Sequence, residues 1–160
     1  MGLFYEDYEK LEVGQCWVSP GRTMTEGDIM TFAGMTGDLH PLHTDARVAK
    51  ESAYGERIAH GYLTASMASG LAYRIGLDEG TAFAVLSIGW KFTQPVKIGD
   101  SIRVNVTLVQ VRPSNKHPTQ GIVVRKYEVQ NQHDVTVAIG EMAILCQRRP
   151  AKMATATAPG

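Results

Sequence analysis

Gly61-Tyr62-Leu63-Thr64-Ala65-Ser66-Met67-Ala68-Ser69-Gly70-Leu71-Ala72-Tyr73-Arg74-Ile75-Gly76 is the most hydrophobic helical segment of the chain. Leu63, Met67, Leu71 and Ile75 recur every four residues, which lines one face of an α-helix. The opposite side carries no charge; it holds Ala65, Ser66, Ala68, Ser69 and Ala72. A helix that is apolar or small all round is expected to be buried on all sides, and its small residues let other backbone come close. Its one strong charge, Arg74, sits near the C-terminal end, where it complements the helix dipole.

Strands follow this helix. Phe83 to Phe92 is rich in β-formers, and Ser101 to Arg112 alternates, with Ile102, Val104, Val106 and Leu108 on one face. Gly121 to Gln130 and Val135 to Gln147 are two more strands, joined by a turn at Asn131 to Asp134. Three strands with short links read as an antiparallel meander. Upstream, Gly14 to Met24 reads as a strand broken at Pro20-Gly21. Thr25, with Asp28 three positions on, has the form of a capping box that starts a helix ending near Gly34 or Gly37. Asp45 to Glu51 has the composition of a short helix, and residues 1–13 read as polar and mixed. The result is an α+β fold, an antiparallel sheet wrapped around a central buried helix. It forms one domain over residues 1–149, followed by an Ala/Thr/Pro-rich tail over 150–160 expected to be disordered. A sheet of this kind leaves an edge and a face uncovered, so a homodimer or an assembly of dimers is expected.

The composition narrows the function. Sixteen basic and sixteen acidic residues cancel in a chain of 160, which argues against a general nucleic-acid binder or a polybasic membrane anchor. No segment is apolar enough to span a bilayer, and Met1 to Lys10 has acidic residues and no apolar core of a secretory signal. Cys16 and Cys146 lie far apart without metal-ligand spacing and read as free thiols of a cytoplasmic protein.

Chemistry concentrates in Thr36-Gly37-Asp38-Leu39-His40-Pro41-Leu42-His43-Thr44-Asp45, an acid and two imidazoles in a segment that Pro41 keeps from being one continuous helix. Arg57-Ile58-Ala59-His60-Gly61-Tyr62 leads into the long apolar helix. Together they suggest an acid–base site facing a helix N-terminus, where free N–H groups carry partial positive charge. His40 and His43 straddle a proline rather than lying on one helical face, so no metal is expected. There is no G-x-S-x-G elbow and no Gly-rich phosphate loop of either common type.

Gly37-Asp38-Leu39-His40-Pro41-Leu42-His43 resembles the hydratase motif of the MaoC-like, (R)-specific enoyl-CoA hydratases of the hotdog superfamily. Ile58-Ala59-His60-Gly61-Tyr62-Leu63-Thr64-Ala65-Ser66 is similar to that family's segment leading into its central helix. Phe92-Thr93-Gln94-Pro95-Val96-Lys97-Ile98-Gly99-Asp100 resembles a connection found there. The three motifs occur in order, and the resemblance covers roughly residues 15–147. It implies a catalytic dyad of Asp38 and His43, a thioester contact from backbone near Gly61, and a supporting Ser66. It also implies reversible hydration of a trans-2-enoyl thioester, most simply a CoA ester, without cofactor. His40 departs from the asparagine common in the family and bears on pocket polarity and substrate choice.

Blander readings stand beside these. Asp38 can close an Asx turn, His43 can be a satisfied core histidine, and Ser66 can bond a carbonyl one turn back. His60 reads as a structural histidine that fixes the loop. The rival functions are a hotdog thioesterase and a non-catalytic acyl-thioester-binding subunit.

Overall fold

The computed structural model describes residues 2–150. In chain order its elements are α1 (Tyr5–Tyr8), β1 (Cys16–Val18), β2 (Arg22–Thr23), α2 (Glu26–Thr36), α3 (Pro41–Thr44), α4 (Ala46–Glu51), α5 (Gly61–Tyr73), β3 (Ala82–Phe92), β4 (Ser101–Pro113), β5 (Gln120–Gln130) and β6 (Thr136–Gln147). The strands form one antiparallel sheet in the order β1-β4-β5-β6-β3, and β2 also pairs with β4. Strands β4, β5 and β6 are the expected meander. The expected tail, beyond Pro150, lies outside the described residues.

Alternation on β4 does what its sequence requires. Ile102, Val104, Val106 and Leu108 are each at most 1% exposed, and the first three pack with Tyr127, Val129, Met142 and Ile144 against Leu63, Met67, Ala68 and Leu71 of α5. At about 25 cal/mol per Å² of apolar surface, this shared core is the main term holding helix to sheet.

Local signals set the helix ends. The Thr25 hydroxyl accepts the Asp28 N–H at 3.1 Å, and the Asp28 carboxylate accepts the Thr25 N–H at 2.9 Å, a complete capping box. Gly37 ends α2 at φ 76°, a conformation in which glycine has no Cβ to clash. Asp45 caps α4 through the N–H groups of Arg47 and Val48.

Three features differ from the sequence reading. The first residues are not simply polar: Tyr5 and Tyr8 are 1% and 2% exposed and form a second core with Leu108, Val123 and Cys146. Gly121 makes room for them, since a Cβ there would lie 1.9 Å from the Tyr5 ring. Between the two cores runs Arg125, 2% exposed, whose Nη2 donates to both oxygens of Asp78 at 2.7 and 2.8 Å. A charge inside a β-strand's apolar pattern becomes tolerable only because Asp78, far away in sequence, returns to meet it.

The third difference concerns α5. It buries Leu63, Thr64, Ala65, Met67, Ala68, Leu71 and Ala72, but a stripe through Tyr62, Ser66, Gly70 and Tyr73 faces out. Beside this stripe lies β3, an edge strand whose Phe83, Val85, Leu86, Ile88 and Phe92 are 44–61% exposed. One sheet encloses most of the helix and leaves this side open.

Candidate active site

Two short elements bring the acid–base residues together. Pro41 opens α3, where its missing N–H costs nothing. The His40 ring caps that turn, its Nδ1 accepting the Leu42 N–H at 3.2 Å. The turn is tied to Ile58 twice: the Ile58 N–H donates to Leu42 O at 3.2 Å, and Ile58 O lies 2.8 Å from His43 Nδ1. A carbonyl only accepts, so the His43 proton sits on Nδ1 and Nε2 presents its lone pair. Burial, the largest cause, and the neighbouring His60 and His40 lower the His43 pKa below its ordinary value; the Ile58 carbonyl and the Asp38 carboxylate oppose them.

Asp38 follows Gly37 and is exposed. One carboxylate oxygen accepts the His40 N–H at 3.3 Å, so the Asx-turn reading describes part of its bonding. The second oxygen has no protein partner among the described residues. His60 is 2% exposed and packs between two rings, Phe32 at 5.0 Å and His43 at 3.8 Å between centroids. Its Nε2 donates to the backbone carbonyl of Asp38 at 2.9 Å. His60 therefore holds the Asp38 loop and one side of His43, as its structural reading anticipated.

The Asp38 carboxylate and one nitrogen each of His43 and His60 lie within 4.8 Å of one another. This trio is the one place among the described residues where three such groups gather to hold a cation. The same groups can also pass a proton between solvent and a bound substrate.

His60 directly precedes α5. The first intrahelical bond of α5 runs from Thr64 N–H to His60 O at 3.0 Å, so the N–H groups of Gly61, Tyr62 and Leu63 have no helical acceptor. A polarising helix N-terminus thus adjoins the acid–base cluster.

Residues 12–134 match the model of the MaoC like domain. The chain belongs to this family. Among its relatives is protein MaoC of Klebsiella aerogenes, 38% identical over 107 residues; the match takes in 65% of this chain but 31% of MaoC, so the chain spans about a third of that protein. The (R)-specific enoyl-CoA hydratase of Rhodospirillum rubrum is 33% identical over 117 residues, 73% of this chain and 79% of that one. The crystal structure of a MaoC-like dehydratase from Rhodospirillum rubrum superposes with a TM-score of 0.82 at 28% identity, over 94% of this chain and all of the other. The sheet around α5 is the hotdog fold of this family.

Within that MaoC-like frame the remaining sequence candidates fall as follows. Gly61 is the first residue of α5, and a Cβ there would lie 2.8 Å from the Phe92 ring. Its glycine thus serves close packing as well as any approach of substrate. Ser66 lies one turn along, exposed, and its hydroxyl donates to Tyr62 O at 2.7 Å, the back-bonded arrangement. Phe32, the second wall of His60, was invisible in the sequence because only the α2–α5 packing brings it there.

Proposed function

We propose that this chain is a hydro-lyase that reversibly hydrates a trans-2-enoyl thioester, most simply of CoA, to a 3-hydroxyacyl thioester. The observation that carries the reading is Asp38, His43 and His60 gathered within 4.8 Å beside the open N-terminus of α5. The name of the Rhodospirillum rubrum relative, an (R)-specific enoyl-CoA hydratase, supports the same reaction.

In this mechanism the free Asp38 oxygen and His43 Nε2 hold one water at the β-carbon. The Nδ1 bond to Ile58 fixes Nε2 as an acceptor, so His43 takes a proton before it gives one. As the water oxygen bonds to the β-carbon, its proton passes to Nε2 and is returned to the α-carbon. The oxygen keeps its second proton and becomes the 3-hydroxyl. Negative charge accumulates on the thioester oxygen, and the N–H of Gly61 receives it; a preorganised donor of this kind contributes about 3 kcal/mol. Ser66 supports the helix start rather than touching the water. No cofactor enters this scheme. Dehydration is the same sequence reversed.

The working unit in this reading is a homodimer. β3 offers an unpaired edge with exposed apolar side chains, which a second copy would extend strand to strand.

Absorbance of the conjugated enoyl thioester, read alongside released thiol, tests the assignment. A hydratase bleaches the conjugation and frees no thiol. Thiol release would make the protein a thioesterase, and neither signal would leave it a binding subunit.

A further inference from the structure

Two cavities follow α5 away from Gly61. The nearer, of about 340 Å³, lies between Tyr62, Ala65 and Ser66 of the helix and Trp90 and Phe92 of β3. The farther, of about 500 Å³, reaches Ala72, Val85 and Met142. Ser69 and Ile88 border both, so the two lie end to end along the groove between α5 and β3. At the near end Phe92 packs against Gly61, the first residue of α5. From Gly61 to Ala72 the helix advances about 16 Å at about 1.5 Å per residue.

The far end is not apolar. Asp78 and Tyr127 both line it. Asp78 is paired with Arg125 behind it, but the two partners are not equally enclosed: the Arg125 side chain is 2% exposed and the Asp78 side chain 20%. Each Asp78 oxygen takes one hydrogen bond from Arg125 and keeps a further lone pair. The Tyr127 hydroxyl lies next to the Arg125 guanidinium and makes a weak contact to Met142 Sδ at 3.8 Å. Burial raises the Tyr127 pKa, so the phenol stays a proton donor.

An alkyl terminus pressed against this wall would strip water from a carboxylate and a phenol and return nothing. A carboxylate terminus would meet the like charge of Asp78 before reaching Arg125. A hydroxyl can donate to Asp78 and accept from Tyr127. Building on the hydratase reading above, we propose that Asp78 and Tyr127 form a hydrogen-bonding end wall. It selects enoyl thioesters long enough to reach it and carrying a neutral polar group, such as a hydroxyl, at the distal end.

The test compares three esters of equal length: trans-2-dodecenoyl-CoA, its 12-hydroxy analogue and the corresponding terminal carboxylic acid. Hydration of each is measured, and the affinities of the saturated counterparts, which cannot be hydrated, are measured by calorimetry. The hydroxyl-ended ester is expected to exceed the methyl-ended one at least about tenfold in kcat/KM and in affinity, the worth of one hydrogen bond. Tyr127→Phe, which removes one oxygen and little volume, is expected to lower that ratio severalfold, the bond to Asp78 remaining. Equal affinities for the hydroxyl- and methyl-ended esters in the wild type overturn the proposal, as does preference for the carboxylic acid. If the variant folds poorly, the wild-type comparison decides. Absence of hydration of all three esters removes the hydratase reading, while the calorimetric comparison still decides the end wall.

Discussion

His43 illustrates how one bond sets a residue's chemistry. Its Nδ1 bond to Ile58 leaves Nε2 as a base, and burial lowers its pKa below the ordinary histidine value near 6.5. A base works while unprotonated, so its activity is lost as pH falls through its own pKa. The acidic limb of the kcat/KM profile is therefore expected below pH ~6.5. A limb above that value would assign the base elsewhere. Asp38→Asn and His43→Ala are each expected to cut kcat/KM by at least about 100-fold. For exposed Asp38 the change in stability should stay within about 0.5 kcal/mol. Wild-type-like rates in either variant would remove both from the mechanism.

In the proposed reaction the start of α5 would place two demands on one glycine. An open N–H requires access, and Phe92 leaves no room for a Cβ. Substituting Gly61 alone mixes the two effects, because Phe92, 44% exposed, would have to swing aside. A double-mutant cycle separates them. Gly61→Ala is expected to lower both turnover and melting temperature. Adding Phe92→Ala is expected to relieve the melting loss, while turnover stays below that of Phe92→Ala alone, because the methyl still crowds the N–H. Full recovery of turnover in the double variant, relative to Phe92→Ala, would make Gly61 a packing residue and nothing more.

The core around α5 and the core around Tyr5 and Tyr8 are joined by an ion pair. Arg125→Ala leaves the Asp78 carboxylate unpaired at the join of α5's following loop and β5, and loss of one partner of a buried pair costs about 3–5 kcal/mol. Because Asp78 is partly open, about 3 kcal/mol is expected, read as a lowered denaturant midpoint. Little change would mean that the pair is not holding the two cores together. On the open side, Ile88 is 54% exposed on the free edge of β3. Light scattering is expected to give a dimer, and Ile88→Lys a shift toward monomer. A wild-type monomer at micromolar concentration would leave the exposed apolar residues of β3 without an explanation in self-association.

By itself the sequence determined the helix α5, the meander and the N-terminal cap of α2, because these follow from contacts within one element or between neighbours in the chain. Leu63, Met67 and Leu71 repeat at helical spacing, Ile102 to Leu108 alternate, and Thr25 reaches three residues ahead to Asp28. The Asp38–His43 loop was legible for the same reason, as six consecutive residues carry it. Only the tertiary structure decided the rest. Phe32 meets His60, Asp78 meets Arg125 and Tyr5 lies over Gly121 across long stretches of chain, and no period or short motif encodes such meetings. Likewise the sequence made α5 apolar or small on every side, but how much of it one sheet can enclose depends on the space between elements. That space left Tyr62, Ser66, Gly70 and Tyr73 facing out beside an unpaired strand.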